Sequence, residues 1–466
     1  MKTVDLKKPI TFKWVVREDW RLDAGPYLSG KVEALLALEK LPTVRLVDLT
    51  HGHDGGIYNG PQFRRVYVDD PEQGVPFIGS SDMLLADLTR LPLLRRKDAE
   101  SHQLRHLKLA EGMTLISCSG TIGRTVYCRA GMAGAWSSQD VLKVVPDPSK
   151  IPPGYLYAFL KGRFGSPLVI AGTYGAIIQH LEAGHLKDLP VPRLGNAIER
   201  KVHSLVSEAG RLQTEFSEDL FESSRQLISQ IGTPRIIPDS NSRSVSSAFI
   251  SKIERLDAHY YDFRAIDIDA WIDSKHPKHK TLGELAKVFD VPPFKHIYVD
   301  GDNGLPFFTS GDIFHLHKTP EKNLSSCRTK NIKKYILKSG CVLLARSGQI
   351  GGIIGQPEFA DSSMNGKTAS DHVIRIVPHQ IPSGYLFTYL NTRSLGYWLL
   401  VRTASGTSIP ALWPVDLRRI KVILLDQEKM NKIGGVTEAA FEKRVRATQL
   451  ERQAVTLVEE AIQKAI

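Results

Sequence analysis

The chain has 466 residues, 42% hydrophobic and 24% charged, with 61 Lys and Arg against 50 Asp and Glu for a formal net charge of +11. That length exceeds one domain of roughly 100 to 200 residues and points to two to four units, while the positive excess points toward a polyanionic partner. The four cysteines, Cys118, Cys128, Cys327 and Cys341, form no Cys-x-x-Cys pair and have no histidines at zinc-ligand spacing, so they read as reduced thiols and not as a disulfide or zinc framework. The N-terminal run Met1–Lys8 lacks a signal-peptide core and no window nears ~18 uninterrupted apolar residues, so the expected location is the cytoplasm.

In chain order, residues 1–195 alternate short apolar runs with Gly and Pro punctuation, the pattern of a mixed α/β or α+β domain. Met113–Cys118 and Asp140–Pro146 read as strands, Tyr155–Leu160 as helical, and Leu189-Pro190-Val191-Pro192 as a strand stopped by prolines. The character then changes. Ile198, Val202, Leu205, Ala209, Leu212 and Phe216 follow a heptad seam, with Gly232 and Pro234 as the stop signal, so 196–232 is expected as a long spacer helix. Residues 233–250, rich in Ser and Pro, read as an exposed linker. A second domain is expected over 251–425. In 426–466 the residues Ile433, Val436, Ala440, Ala447, Leu450, Ala454, Leu457 and Ala461 keep the same rhythm, interrupted at Lys443, and predict a second spacer helix. Each helix would span roughly 50 to 60 Å at 1.5 Å per residue.

The two halves repeat one another. Arg21-Leu22-Asp23-Ala24 returns as Arg255-Leu256-Asp257-Ala258, Phe63–Asp69 as Phe294–Asp300, and Gly74-Val75-Pro76-Phe77 as Gly304-Leu305-Pro306-Phe307. Ser119–Gly123 returns as Ser347–Gly351, and Ile151-Pro152-Pro153-Gly154-Tyr155-Leu156 as Ile381-Pro382-Ser383-Gly384-Tyr385-Leu386. The offset stays between 228 and 234, which means two duplicated domains and not a solenoid of short repeats. The two helical segments carry 11 basic against 13 acidic residues, so a net of −2 there leaves +13 on the rest of the chain. Two positively charged faces that each meet phosphate are the expected result. The expected fold is therefore α+β: two similar globular domains separated by two long antiparallel coiled-coil helices in a pseudo-twofold arrangement. The competing packing lays each helix on its own domain.

On these phrases the chain resembles the specificity (S) subunit of type I restriction-modification systems. The resemblance is carried by Ser117–Gly123, Pro153–Leu156, Tyr174–Leu181, Leu186–Pro192, Ala345–Gly351 and Ser405–Pro410, and it covers nearly the whole chain. It implies a non-catalytic reader of double-stranded DNA. Each globule would be a target recognition domain for one half of a split, asymmetric sequence. The helices would fix the gap, against a B-DNA turn of ~34 Å, and hold two methyltransferase subunits, with helicase-nuclease restriction subunits as further partners. No cofactor is implied. The alternative from a different class is an autonomous sequence-specific DNA-binding regulator, which would bind tightly without partners.

Candidate contacts follow the repeats. Ser119, Thr121 and Arg124, and Arg346, Ser347 and Gln349, lie on turns after an apolar strand; such turns either bring backbone N–H groups and side chains to phosphate or base edges, or are plain strand-to-strand turns. Arg64, Arg65, Lys295 and His296 sit at matched positions ahead of a strand, as phosphate anchors or as a solvated basic turn. Arg95, Arg96, Lys97 and Arg105, and Lys330, Lys333 and Lys334 beside Arg328, form two matched basic clusters. Tyr174, Gln179, His180, Thr407 and Ser408 lie in a second glycine turn, where they either read bases or make structural hydrogen bonds. No catalytic site is expected. The Asp, Asn or Ser of an amino-methyltransferase motif is replaced by Val291 ahead of Pro292-Pro293-Phe294, Ile151–Gly154 lacks the aromatic, and both read as turns. No nucleotide cradle or nuclease cluster is present, and His51-x-His53 is more a surface loop than a metal site.

Overall fold

The structure is a computed structural model; it describes residues 10–17, 20, 27, 29–171, 173–174, 180–237, 246–320 and 322–466. The chain forms two compact units: unit 1 is Met1–Thr214 with Arg446–Ile466, and unit 2 is Glu215–Val445. No helix among the described residues is long and apolar enough to cross a membrane.

The strands of unit 1 are β1 (Thr43–Arg45), β2 (Ile57–Tyr58), β3 (Tyr67–Val68), β4 (Gly74–Ile78), β5 (Leu93–Arg95), β6 (Thr114–Ser117), β7 (Thr125–Tyr127), β8 (Trp136–Ser137), β9 (Val141–Val144), β10 (Thr173–Tyr174), β11 (His180–Leu181) and β12 (Pro190–Pro192). They pair as β2-β9-β6-β7, β3-β5-β4-β8, β1-β12 and β10-β11. Unit 2 contains β13 (His279–Thr281), β14 (Ala286–Phe289), β15 (Tyr298–Val299), β16 (Gly304–Phe308), β17 (Lys322–Ser325), β18 (Val342–Ala345), β19 (Pro357–Phe359), β20 (Thr368–Ala369), β21 (Val373–Pro378) and β22 (Lys421–Ile423). Its orders are β14-β21-β18-β19, β15-β17-β16-β20 and β13-β22, which repeat three of the four sheets of unit 1; only β10-β11 has no counterpart among the described residues. Even the single parallel pairing recurs, β4 with β8 and β16 with β20. The duplication legible in the sequence is thus a duplicated α+β topology.

The central strands β6 and β18 are buried at every residue, in keeping with the run Val-Leu-Leu-Ala in β18 and the Leu-Ile centre of β6 between Thr114 and Ser117. Each is flanked by a strand that hides a cation: Lys143 pairs in register with Leu115, and Arg375 with Leu343. The Pro-Gly-Tyr-Leu phrase is the start of a helix, Pro153–Lys161 in unit 1 and Ser383–Asn391 in unit 2, so Ile151–Gly154 is not simply a turn. Pro153 occupies the first helical turn, where the missing N–H costs nothing. Tyr155 and Tyr385 donate from their hydroxyls to the carbonyls of Pro192 (2.5 Å) and Ile423 (2.9 Å), clipping each helix to the strand that leads into a long helix.

The long helices run Asn196–Ile231 and Gln427–Lys464. Within unit 1, Leu205, Ala209 and Leu212 pack against Ala447 and Leu450. Within unit 2, the Phe216 and Phe441 rings meet at 5.2 Å. Higher numbers on one helix meet lower numbers on the other, so the packing is antiparallel. The interruption at Lys443 is answered by ion pairs to Glu215 (3.2 Å) and Asp219 (2.7 Å). Of the segment 233–250, residues 238–245 lie outside the described residues and Ser247–Ile253 is helical.

Each globule seats on the helices through a close glycine contact and a buried charge. A Cβ on Gly154 would stand 2.9 Å from Val206 and His203, and one on Gly384 would stand 2.2 Å from the Gly434 carbonyl oxygen. The amide of Gly154 donates to His203 Nδ1 (3.1 Å) and that of Gly384 to Glu438 Oε1 (3.0 Å). In unit 1, Glu451 of the helix accepts from the Tyr157 hydroxyl and the Lys161 ammonium, with Arg129 wholly buried nearby. Burial lowers Arg129 to about 10 against the raising effect of Cys128 and Glu451. In unit 2 the helix supplies the cation. Arg444 donates to Glu358 (2.8 Å) and to Asp361 (2.5 Å), and Lys318 lies 3.4 Å from Glu358. Burial opposes the Arg444 charge, but the two carboxylates outweigh it and hold its pKa above the ordinary value. Burial and then the Arg444 charge push Lys318 down to about 8.

Candidate nucleic-acid interface

In unit 1 the glycine turn joins β6 to β7. Its geometry needs positive φ at Gly120 (+72°) and Gly123 (+85°). Ser117 closes it: its hydroxyl donates to the Thr121 carbonyl (2.6 Å) and accepts from the Arg124 amide (3.0 Å), while the Gly123 amide donates to the Ser117 carbonyl (2.9 Å). Two of the amides considered for phosphate are therefore engaged inside the turn. Ser119 makes a backbone bridge to His180, bringing β10 and β11 beside it. Tyr174 pairs in register with His180, and Gln179 lies outside the described residues.

The side chains around this turn form one polar string. Arg65, on the segment before β3, donates to Gln139 Oε1 (3.0 Å) and lies 3.5 Å from Asp140. Asp140 accepts from the Ser119 hydroxyl (2.7 Å), and Ser119 Oγ lies 3.4 Å from His180 Nδ1. The Arg65 guanidinium sits over the Phe77 ring at 5.4 Å. Phe63 and Tyr67 meet the same ring at 6.1 and 6.2 Å, and Tyr67 is 49% exposed. Beneath the string lies Lys143, which donates to the Ser138 carbonyl (3.3 Å) and is pushed by burial down to about 7. Burial, then Asp140, raises Cys118 to about 11.

Unit 2 builds the same place with different side chains. The turn between β18 and β19 contains Gly351 and Gly355 at φ +84° and +76°. Ser347 makes a backbone bridge to Ala411, so the loop 405–411 adjoins the turn as β10 and β11 do in unit 1. Ser405 and Ala411 close that loop by mutual backbone hydrogen bonds (2.9 and 2.8 Å), leaving Thr407, Ser408 and Ile409 exposed at its tip with Gln349 and Ile350 exposed on the turn. Arg346 is held by Asp290 (3.4 Å) and lies over the Trp413 ring at 4.8 Å. Ser347 Oγ lies 3.1 Å from His372 Nδ1, and His296 Nε2 lies 3.3 Å from Asp371. The Phe307 ring carries His296 (4.9 Å), Phe294 (6.4 Å) and Tyr298 (5.8 Å). Arg375 replaces Lys143, donating to the carbonyls of Val373 (2.6 Å) and Ala369 (2.9 Å); burial lowers it to about 10.

The fold thus brings Arg65, Ser119 and His180 together, and sets the loop that carries Thr407 and Ser408 beside Ser347 through Ala411. His296 joins the unit 2 string through Asp371, Thr121 belongs to the unit 1 turn, and several other candidates stand apart. Arg64, Lys97, Arg105, Lys295, Lys330, Lys333 and Lys334 are exposed. Arg95 is paired with Asp98 (2.9 Å), and Arg96 with Glu100 (3.5 Å) and the Gly74 carbonyl (3.0 Å). Arg124 is half-buried in the turn. Sequence reasoning missed Gln139, Asp140, Asp371, His372 and the exposed Tyr67 and Tyr298. The available signal was a polar interruption at one place in both copies, Ser138-Gln139-Asp140 and Ser370-Asp371-His372, each running into an apolar strand. His53 stacks on His106 at 4.1 Å; among the described residues no group of three His, Cys, Asp or Glu is placed to hold a metal ion.

Over most of its length the chain is similar to solved S subunits of type I restriction-modification systems. One is the type I restriction-modification system S subunit from M. genitalium, at 13% identity over 91% of this chain and 96% of that one, with a TM-score of 0.36. Another is the HsdS subunit from Thermoanaerobacter tengcongensis, at 14% identity over 92% and 97%, with a TM-score of 0.27. A third comes from a structure of type I R-M system assembly and conformational transition, at 14% identity over 91% and 98%, with a TM-score of 0.28. No family model matches the chain, and no curated protein does.

Proposed function

We propose that this chain is the DNA-specificity subunit of a type I restriction-modification complex. Unit 1 and unit 2 each read one half of a bipartite, asymmetric DNA target. The long helices fix the spacing and dock two methyltransferase subunits, to which helicase-nuclease subunits add, and the chain performs no chemistry of its own. The observation that supports this reading is the repetition of three sheets of one α+β scaffold carrying unlike polar side chains at one place in each copy. A repeated scaffold with identical chemistry suits a palindrome; the same scaffold with unlike donors and acceptors suits two different half-sites. The +13 charge outside the helical segments supplies the sequence-independent attraction to phosphate.

The test is to purify the chain with and without its methyltransferase partner and map adenine methylation on duplex DNA. A stable complex that methylates one split sequence, with a fixed gap, is expected only from the mixture. No complex and no site-specific methylation would end the proposal; tight specific binding by the isolated chain, with no methylation from the mixture, would favour the autonomous regulator.

A further inference from the structure

The two units share a frame and differ within it, and part of the difference falls on a few polar side chains at one matched place. Phe77 and Phe307 stand at the same register beside β8 and β20, each flanked by a matched phenylalanine and by a matched exposed tyrosine, Tyr67 or Tyr298. Ser119 and Ser347 close the far end of each string. Between these fixed ends the matched residues change chemistry. Arg65 becomes His296, Gln139 becomes Asp371, and Asp140 becomes His372.

The loop that carries the last two positions is held from below in both copies. Lys143 donates to the Ser138 carbonyl, and Arg375 to the carbonyls of Ala369 and Val373. A buried cation costs free energy unless it is hydrogen-bonded, so its placement under this loop twice over argues that the loop's conformation is being fixed. A fixed backbone with substitutable polar tips is what direct readout requires, because discrimination depends on donors and acceptors held in place against a base edge. Arg65 brings only donors, Gln139 both, and Asp140 only acceptors; His296, Asp371 and His372 offer a different arrangement.

Resting on the proposed DNA-specificity role, we infer that Arg65, Gln139 and Asp140 in unit 1, and His296 and His372 in unit 2, oriented by the buried carboxylate of Asp371 between them, are the base-reading positions that make the two half-sites unlike. The aromatic frame and serine ends are common positioning parts. The guanidinium, amide and carboxylate of unit 1 address the major-groove edges of successive base pairs, while the imidazoles of unit 2, held by Asp371, address a different set.

The experiment transplants the second set into the first. The full chain carrying R65H, Q139D and D140H together is assembled with its methyltransferase partner and challenged with a randomised duplex library in which methylated molecules are recovered and sequenced. The reciprocal H296R, D371Q and H372D chain is run in parallel. In each case the preferred bases should change by roughly tenfold or more at one or more positions of one half-site. The other half-site and the gap should stay as in the unaltered complex. If the unaltered complex methylates a split sequence and both transplants leave its two halves unchanged, the inference is overturned while the DNA-specificity role stands. If the unaltered complex shows no sequence preference, that role falls and the inference with it. Should a triple variant fail to assemble, R65H or H296R alone decides: an unchanged profile at every half-site position in a folded complex overturns the assignment.

Discussion

The two seats between globule and helix occupy equivalent places and carry opposite charge. Arg129 follows β7 by two residues and faces the helix carboxylate Glu451; Asp361 follows β19 by two residues and binds the helix guanidinium of Arg444. One scaffold has therefore solved the same packing problem with the cation on the globule in one copy and on the helix in the other. The lesson is that topology fixes where a polar contact is needed, but not its sign. Inverted signs also make each globule a poor fit for the other's helix segment, since a misplaced seat would bury like charges together.

The largest effect should come from breaking the better-enclosed seat. Arg444→Met strips Asp361 of its guanidinium partner and leaves Glu358 with Lys318 alone, and should cost unit 2 about 3 to 5 kcal/mol, read by chemical denaturation. Glu451→Gln keeps hydrogen-bonding capacity beside a Lys161 that is 29% exposed, and should cost only about 1 to 3 kcal/mol. Equal losses would show that enclosure does not distinguish the seats. The glycine contacts come next. Gly384→Ala places a methyl group against backbone and should cost about 1 to 3 kcal/mol, more than Gly154→Ala, whose neighbours include a histidine ring. Gly435→Ala, with nothing within 4 Å, should be tolerated; a loss as large as at Gly384 would refute the close-approach argument.

The smallest effect concerns the cations under the two strings. Lys143 sheds its proton near pH 7 when folded but at the ordinary lysine value of 10.5 when unfolded. Between those values the unfolded chain binds more protons, so the stability of unit 1 should rise as pH increases from 7 to 9. Above that window Cys118 and Cys128, raised by burial to about 11 and about 12, act in the opposite direction. Lys143→Arg imitates Arg375, lowered only to about 10, and should flatten the rise. Denaturation midpoints at pH 7 and pH 9 that respond identically in both proteins would show that Lys143 is not the titrating group.

Much of the architecture was legible because it rests on local pattern. The short apolar runs read as strands became β6 and β9, and the 3,4 rhythm became two long helices. The candidate site was legible only in part. Arg65 and Ser119 were found by repetition, but their union through Asp140 joins residues 75 and 21 positions away, and no local pattern records that proximity. Lys143 was not singled out in the strand Val-Leu-Lys-Val, yet it is fully buried, and what covers its side chain comes from outside that strand.

The sequence by itself determined the duplication, the order of elements and the positive charge of the globular parts, because composition, periodicity and repeated phrases are written along the chain. The tertiary structure alone decided which polar side chains meet, which cations are buried and which sign each helix seat carries. Those outcomes depend on strands and helices far apart in sequence closing on one another, and on desolvation, which has no value until the fold has excluded water.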